Sequence, residues 1–195
     1  NQLTISHGEA GRLLIQTSGS TGDPKIMVID TDRLFSSGRA FLQYLGLNYS
    51  DLRFWNYLPM SYLGGLFNLG LIPLSFGGSV VVSEAFSGLT FLRFWREVER
   101  YNINVLWLVP TIVKGLLSVS RRGEDKIKHG VELAFLGTAP VDLNTKLDFE
   151  KTFDLPLLEN FGLSETTFIS TETIEEDKIK QISEYSLRKE EIKID

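Results

Sequence analysis

The stretch Ile103-Asn104-Val105-Leu106-Trp107-Leu108-Val109-Pro110 decides the fold. Residues 103–109 are apolar almost throughout, without polar alternation, and read as a buried strand. Pro110 suits the first turn of a helix, which Ile112, Val113, Leu116 and Leu117 continue along one face. Before this strand, Phe91, Phe94, Trp95, Val98 and Tyr101 form an apolar stripe at helical spacing. Arg93, Arg96, Glu97 and Arg100 lie largely off it, and Arg93 and Glu97 are spaced for a side-chain pair. After it, residues 121–129 read as a charged, solvated connector and residues 131–136 as a strand. Leu143, Leu147 and Phe153 mark a further helix, and residues 155–161 a further strand, with Pro156 near its start or edge. Apolar strands alternating with helices imply an α/β fold: a layered, largely parallel sheet flanked by helices.

The same rhythm runs toward the amino end. Residues 13–16 and 26–29 read as short strands, and Asp30, Thr31 or Asp32 as the cap of a helix carrying Leu34, Phe35, Phe41, Leu42 and Leu45. Residues 54–58 form another strand candidate, 60–72 a mostly buried helix, 80–82 a compact buried strand, and 168–169 a short apolar run. Pro73, Asn68 and several glycines interrupt the greasiest stretch, 63–82, so no membrane-spanning helix is expected. The pattern predicts a globular core over 1–171. Residues 172–195, rich in Glu and Lys and without glycine, read as a charged tail.

Composition narrows the function. The 195 residues are 43% hydrophobic and 23% charged, with a net charge of -5, which disfavours a nucleic-acid footprint. Cysteine is absent, which removes disulfide and thiolate-metal scaffolds and fits a reducing, cytoplasmic setting. With only His7 and His129, a multi-histidine metal centre is a poor expectation.

The strongest chemical signal is Thr17-Ser18-Gly19-Ser20-Thr21-Gly22-Asp23-Pro24-Lys25. Glycines let backbone amides approach an anion, hydroxyls donate to phosphate oxygens, and the lysine supplies a mobile positive charge. The spacing is not that of the common P-loop. Asp23-Pro24 separates the second glycine from Lys25, and strand formers follow where that motif opens a helix.

Extended back to Leu14-Ile15-Gln16, this segment resembles the signature loop of the adenylate-forming enzymes, among them the acyl-CoA synthetases. Two later segments resemble further motifs of that family in its order. Gly137-Thr138-Ala139-Pro140 is similar to the turn lining the adenine and acyl pockets. Asn160-Phe161-Gly162-Leu163-Ser164-Glu165-Thr166 is similar to the aromatic-Gly-x-Thr-Glu motif, with serine in place of the usual threonine. A looser match begins at Leu58-Pro59 and has Tyr62 where the family usually carries histidine. The resemblance runs over roughly 11–171.

By resemblance, the fold would be the core subdomain of such an enzyme. Thr17, Ser18, Gly19, Ser20, Thr21 and Gly22 would cradle the triphosphate with Lys25, and Phe161 would stack on adenine. Ser164 would meet the α-phosphate, Glu165 would help hold Mg²⁺, and Tyr62 would wall the acyl site. The implied reaction activates a small carboxylic acid with ATP as an acyl-adenylate, then passes the acyl group to a thiol, coenzyme A being one candidate acceptor. Lys25 and Glu165 would be its catalytic residues. The resemblance also implies a ribose-binding aspartate motif, a hinge and a C-terminal domain with a catalytic lysine, none of which is found here. Lys178 and Lys180 lack the matching context. The expectation is therefore the central part of such a domain, incomplete for turnover, and a non-catalytic nucleotide-binding module is the alternative. An ordinary P-loop NTPase is disfavoured by the Asp23-Pro24 spacing. Neither the acid nor the oligomeric state follows from the sequence.

Overall fold

The structure is a computed structural model that describes residues 11–17, 25–47, 49–120, 129–164, 166–173 and 175. It opens with an antiparallel hairpin of β1 (Arg12–Thr17) and β2 (Lys25–Asp30), closed at its last pair by Thr17 opposite Lys25. Helix α1 (Thr31–Tyr44) follows directly, and Thr31 ties its start to the hairpin base through the carbonyl of Gly11. Leu13 and Ile29 turn into the core, while Leu14, Ile26 and Val28 stand exposed on the outer side of the hairpin.

A six-stranded sheet makes the body. Its strands are β3 (Arg53–Asn56), β4 (Ser79–Val82), β5 (Val105–Leu108), β6 (Leu133–Leu136), β7 (Leu157–Leu163) and β8 (Thr167–Thr171). The spatial order is β4-β3-β5-β6-β7-β8, parallel except for the antiparallel pair β7-β8. The connections carry a π-helix (Gly64–Leu71) running into α2 (Ile72–Ser75), then α3 (Gly88–Arg100), α4 (Pro110–Ser120) and α5 (Leu143–Phe153).

Alternation along the central strands sorts their side chains into two cores, because successive residues point to opposite faces. On one face Trp55, Leu106, Leu108, Ala134 and Leu136 pack with Phe94, Val113, Leu116 and Phe149 from α3, α4 and α5. On the other, Phe54, Val105, Trp107, Leu133 and Phe135 pack with Leu34, Phe41, Phe67 and Ile72 from α1, the π-helix and α2. Burial on both sides is why strands β5 and β6 carry no polar residue.

Several local expectations shift. The helix expected over 60–72 winds only from Gly64, and as a π-helix. A turn closed by Tyr62 N–H on the Pro59 carbonyl precedes it, and that carbonyl lies 2.3 Å from where a Cβ on Gly65 would stand. β4 is an edge strand with β3 as its sheet neighbour, so Val82 is 63% exposed rather than buried. Pro156 precedes β7 and offers its carbonyl to Ala134 N–H. Glu97 pairs with Arg100, at 3.5 Å. His129 is not simply a solvated end of the connector. Its ring stacks on Trp95, Nδ1 accepts from Val131 N–H, and Nε2 lies 2.8 Å from the Phe153 carbonyl, which fixes the proton on Nε2.

Candidate nucleotide and acyl site

In open α/β sheets, ligands bind beyond the carboxyl ends of the strands, at the point where connections diverge to opposite faces. Here the chain leaves β3 toward the π-helix on one face and leaves β5 toward α4 on the other. The carboxyl rim is formed by segment 57–62 after β3, Val109 after β5, segment 137–140 after β6, and the end of β7.

The two motif segments at 137–140 and 160–164 meet there. β6 and β7 are hydrogen-bonded neighbours whose last registered pair is Leu136 with Glu159, so Gly137 and Asn160 leave the ladder side by side. Gly137 is buried, and a Cβ there would stand 2.7 Å from Trp107 Nε1, so the indole edge occupies a side chain's place. Thr138 has φ 75°, a left-handed conformation uncommon for a non-glycine residue, which turns the chain sharply out of the sheet. Thr138, Ala139 and Pro140 are exposed.

The end of β7 is shaped by a bulge at Phe161/Gly162. Phe161 is 57% exposed, unusual for a large aromatic beside a well-packed core, and presents an open platform at the rim. Asn160 donates from Nδ2 to the Leu158 carbonyl, which fixes its amide orientation. Its Oδ1 is buried and has no hydrogen-bond partner among the described residues. A buried acceptor left unpaired costs about 1–3 kcal/mol, so this oxygen calls for a donor. Ser164 lies in a tight turn closed by Thr166 N–H on the Leu163 carbonyl.

Tyr62 stands apart from these segments. It follows β3, and β5 lies between β3 and β6, so those two strands are about 10 Å apart at ordinary strand spacing. Its ring covers Gly64, and partial burial pushes the phenol pKa up from its ordinary value. The turn is anchored from below by Asn56, whose Nδ2 donates to the Gly65 carbonyl at 2.9 Å and whose Oδ1 accepts Leu58 N–H. Asn56 and Trp107 were not marked out by the sequence. A polar residue in the middle of the apolar run 54–58 was the available signal for Asn56.

Ser18, Gly19, Ser20, Thr21, Gly22 and Glu165 lie outside the described residues, as do the side chains of Thr17 and Lys25. Among the described residues, no group of three or more His, Cys, Asp or Glu could hold a metal ion. Among the same residues, no helix is long and apolar enough to cross a membrane.

A family model described as AMP-binding enzyme matches residues 5–194, and the chain belongs to that family. The match runs on through the Glu- and Lys-rich carboxyl-terminal stretch. Among curated relatives, the sulfoacetate–CoA ligase of Cupriavidus necator is 30% identical over 158 residues, covering 81% of this chain and 30% of that protein. The 4-chlorobenzoate–CoA ligase of an Arthrobacter species is 28% identical, over 77% of this chain and 28% of that protein. The chain thus spans about a third of the length of the relatives it matches. In fold it resembles ATP-bound MatB from Rhodopseudomonas palustris, with TM-score 0.73 and 24% identity over 88% of this chain and 33% of that one. A malonyl-CoA ligase with methylmalonyl-CoA and AMP bound superposes with TM-score 0.68 and 26% identity, over 81% of this chain and 34% of that one. The largely parallel sheet with flanking helices is therefore the fold of adenylate-forming enzymes, as the strand–helix rhythm and the motifs implied.

Proposed function

We propose that this chain supplies the nucleotide- and acyl-handling rim of an ATP-dependent carboxylate–thiol ligase. One observation carries the reading: the exposed Phe161 platform and the unpaired acceptor of Asn160 sit at the same rim as the Gly137 turn. An adenine fits that arrangement, since its flat face suits the phenyl ring and its amino group is a donor for the orphaned oxygen. The curated relatives named as CoA ligases favour coenzyme A as the thiol acceptor.

In this reading Thr17, Ser18, Gly19, Ser20, Thr21, Gly22 and Lys25 bind the β- and γ-phosphates. Glu165 would hold Mg²⁺ through its carboxylate, and the ion would supply positive charge against the phosphates. Ser164 donates toward the α-phosphate, and Thr138, Ala139 and Pro140 line the pocket with Gly162. Tyr62 closes it on the acyl side. A carboxylate oxygen attacks the α-phosphorus, the bond to the β-phosphate oxygen breaks, and pyrophosphate leaves with that electron pair. The thiolate of the acceptor then attacks the acyl carbon and AMP departs, the thiol proton passing to solvent. The substrate carboxylate is already ionised, so the first step needs positioning and charge neutralisation rather than a base.

The test is titration with Mg-ATP and assay of carboxylate-dependent pyrophosphate exchange across a panel of small acids. Base–aromatic stacking is worth about 1–3 kcal/mol, so Phe161→Ala is expected to weaken Mg-ATP binding by roughly 5- to 150-fold. Thermal stability should barely move, because the ring is largely exposed. Lys25→Ala and Glu165→Ala should weaken Mg-ATP binding or slow adenylation. Unchanged binding and exchange in all three variants would refute the reading. Binding without exchange for any acid would favour the non-catalytic module.

A further inference from the structure

β8 is the outer strand of the sheet, with β7 as its sheet neighbour, and the β7–β8 hairpin carries segment 161–166. It is pinned from both faces. On one face Phe168 stacks on Phe41 of α1, with centroids 4.2 Å apart, and Thr167 hydrogen-bonds Ser37. On the other face the attachment is ionic. Lys146, on α5, is 2% exposed, and its Nζ lies 2.6 Å from Glu172 Oε2, just past the end of β8.

The same carboxylate oxygen accepts Glu159 N–H at 3.0 Å, while Glu172 N–H donates to the Glu159 carbonyl. Glu159 is in turn the residue that β7 registers against Leu136, immediately before the Gly137 turn. Glu150 completes the cluster: its Oε1 accepts Leu157 N–H at 2.9 Å and stands 4.0 Å from Lys146 Nζ. A lysine flanked by two carboxylates, each also bonded to the backbone of β7, locks helix, strand and hairpin base together. Removing Lys146 leaves two carboxylates uncompensated, and removing Glu172 takes away the closer of the lysine's two acidic neighbours, so the lock either holds or fails locally.

From this we propose that Lys146 and Glu172 are positioning residues: they clamp the foot of the β7–β8 hairpin so that Phe161 and Ser164 are held in register with the Gly137 turn. The proposal rests on the nucleotide-binding reading of segment 160–166.

The test compares Lys146→Met, Glu172→Gln and the triple variant Lys146→Met/Glu150→Gln/Glu172→Gln with the parent protein. Two measurements are made well below the unfolding transition: hydrogen exchange of amides 159–173, and Mg-ATP titration. Glu172→Gln keeps an acceptor for Glu159 N–H while removing the charge. Each single variant should exchange these amides at least tenfold faster, with β5 and β6 unaltered, and bind Mg-ATP about tenfold more weakly. The triple variant, which removes all three charges of the cluster, should recover most of both. Equal exchange and equal affinity in the singles overturn the clamp, as does a loss of protection spread evenly over the sheet. Should a single variant not fold, a triple variant that folds and regains protection over 159–173 supports the clamp, and one that does not overturns it. If the parent itself fails to bind Mg-ATP, the nucleotide reading falls and the exchange arm alone decides the clamp.

Discussion

Gly162→Ala puts the hairpin under a load that can be worked out. A Cβ at Gly162 would stand 2.0 Å from the carbonyl oxygen of Thr167 and 3.0 Å from its carbon. Both are backbone atoms, so no side chain can swing aside. Ordinary contact needs about 3.5 Å, so β8 must retreat from β7 by roughly 1.5 Å. That stretches the neighbouring ladder bonds from about 2.9 Å to more than 4 Å, beyond hydrogen-bonding distance. Two lost bonds cost about 1 kcal/mol each. Residual overpacking adds about 1–3 kcal/mol. Replacing glycine returns about 0.5–1 kcal/mol of backbone entropy. The net is a loss of about 2–4.5 kcal/mol, which for a chain this long lowers Tm by roughly 5–15 °C. Calorimetry measures the shift, and hydrogen exchange should place it in residues 160–171. A Tm within 2 °C of the parent, with unaltered protection there, would show that the β7–β8 approach is not as close as described.

Two further outcomes follow from buried contacts and a third from an exposed helix cap. Gly137→Ala drives a Cβ to 2.7 Å from Trp107 Nε1, so it should cost about 1–3 kcal/mol and shift the Trp107 fluorescence. Tyr57→Phe removes a hydroxyl that donates to the Trp107 carbonyl at 2.5 Å, and should cost about 1–2 kcal/mol in chemical denaturation. Burial pushes the Tyr57 phenol pKa far above its ordinary value, so the folded state disfavours ionisation. Stability from this group is complete below about pH 10 and falls as pH rises further, a slope that Tyr57→Phe should lessen. Asp142 caps α5, and its pKa is lowered by hydrogen bonds from the Thr145 hydroxyl and Thr145 N–H. Its contribution is present above the ordinary aspartate value of about 3.9 and lost as pH falls through the lower folded value. Asp142→Asn should flatten that part of the acid unfolding curve.

What the sequence revealed was governed by burial. Strands 105–108 and 133–136 were legible because both faces are covered, which leaves uniform apolar runs. Helix α3 was legible because one face is buried and the other wet. The segments at 137–140 and 160–164 stood out only through their resemblance to the family's motifs, since without it Phe161 would read as core. The π winding was not, because it is accompanied by Gly65 lying against the Pro59 carbonyl, a contact that local periodicity does not encode. Lys146 was also hidden. A lysine on an amphipathic helix reads as solvent-facing, and its partner Glu172 lies 26 residues away across a strand pair. The stacking of His129 on Trp95 was missed for the same reason.

The eight-residue π-helix has a consequence for insertions and deletions. Its wider coil holds more residues per revolution than an α-helix, so the number of residues between Leu63 and Ile72 fixes the angle at which the preceding turn leaves the coil. Deleting one residue would let the coil tighten and rotate that turn by about 100°, the step of a single α-helical residue. Tyr62 would then swing off the rim while the sheet beneath stayed whole. Because Phe67 and Leu69 of the same coil are buried in the core, a change of length here would re-aim the phenol and disturb that packing together.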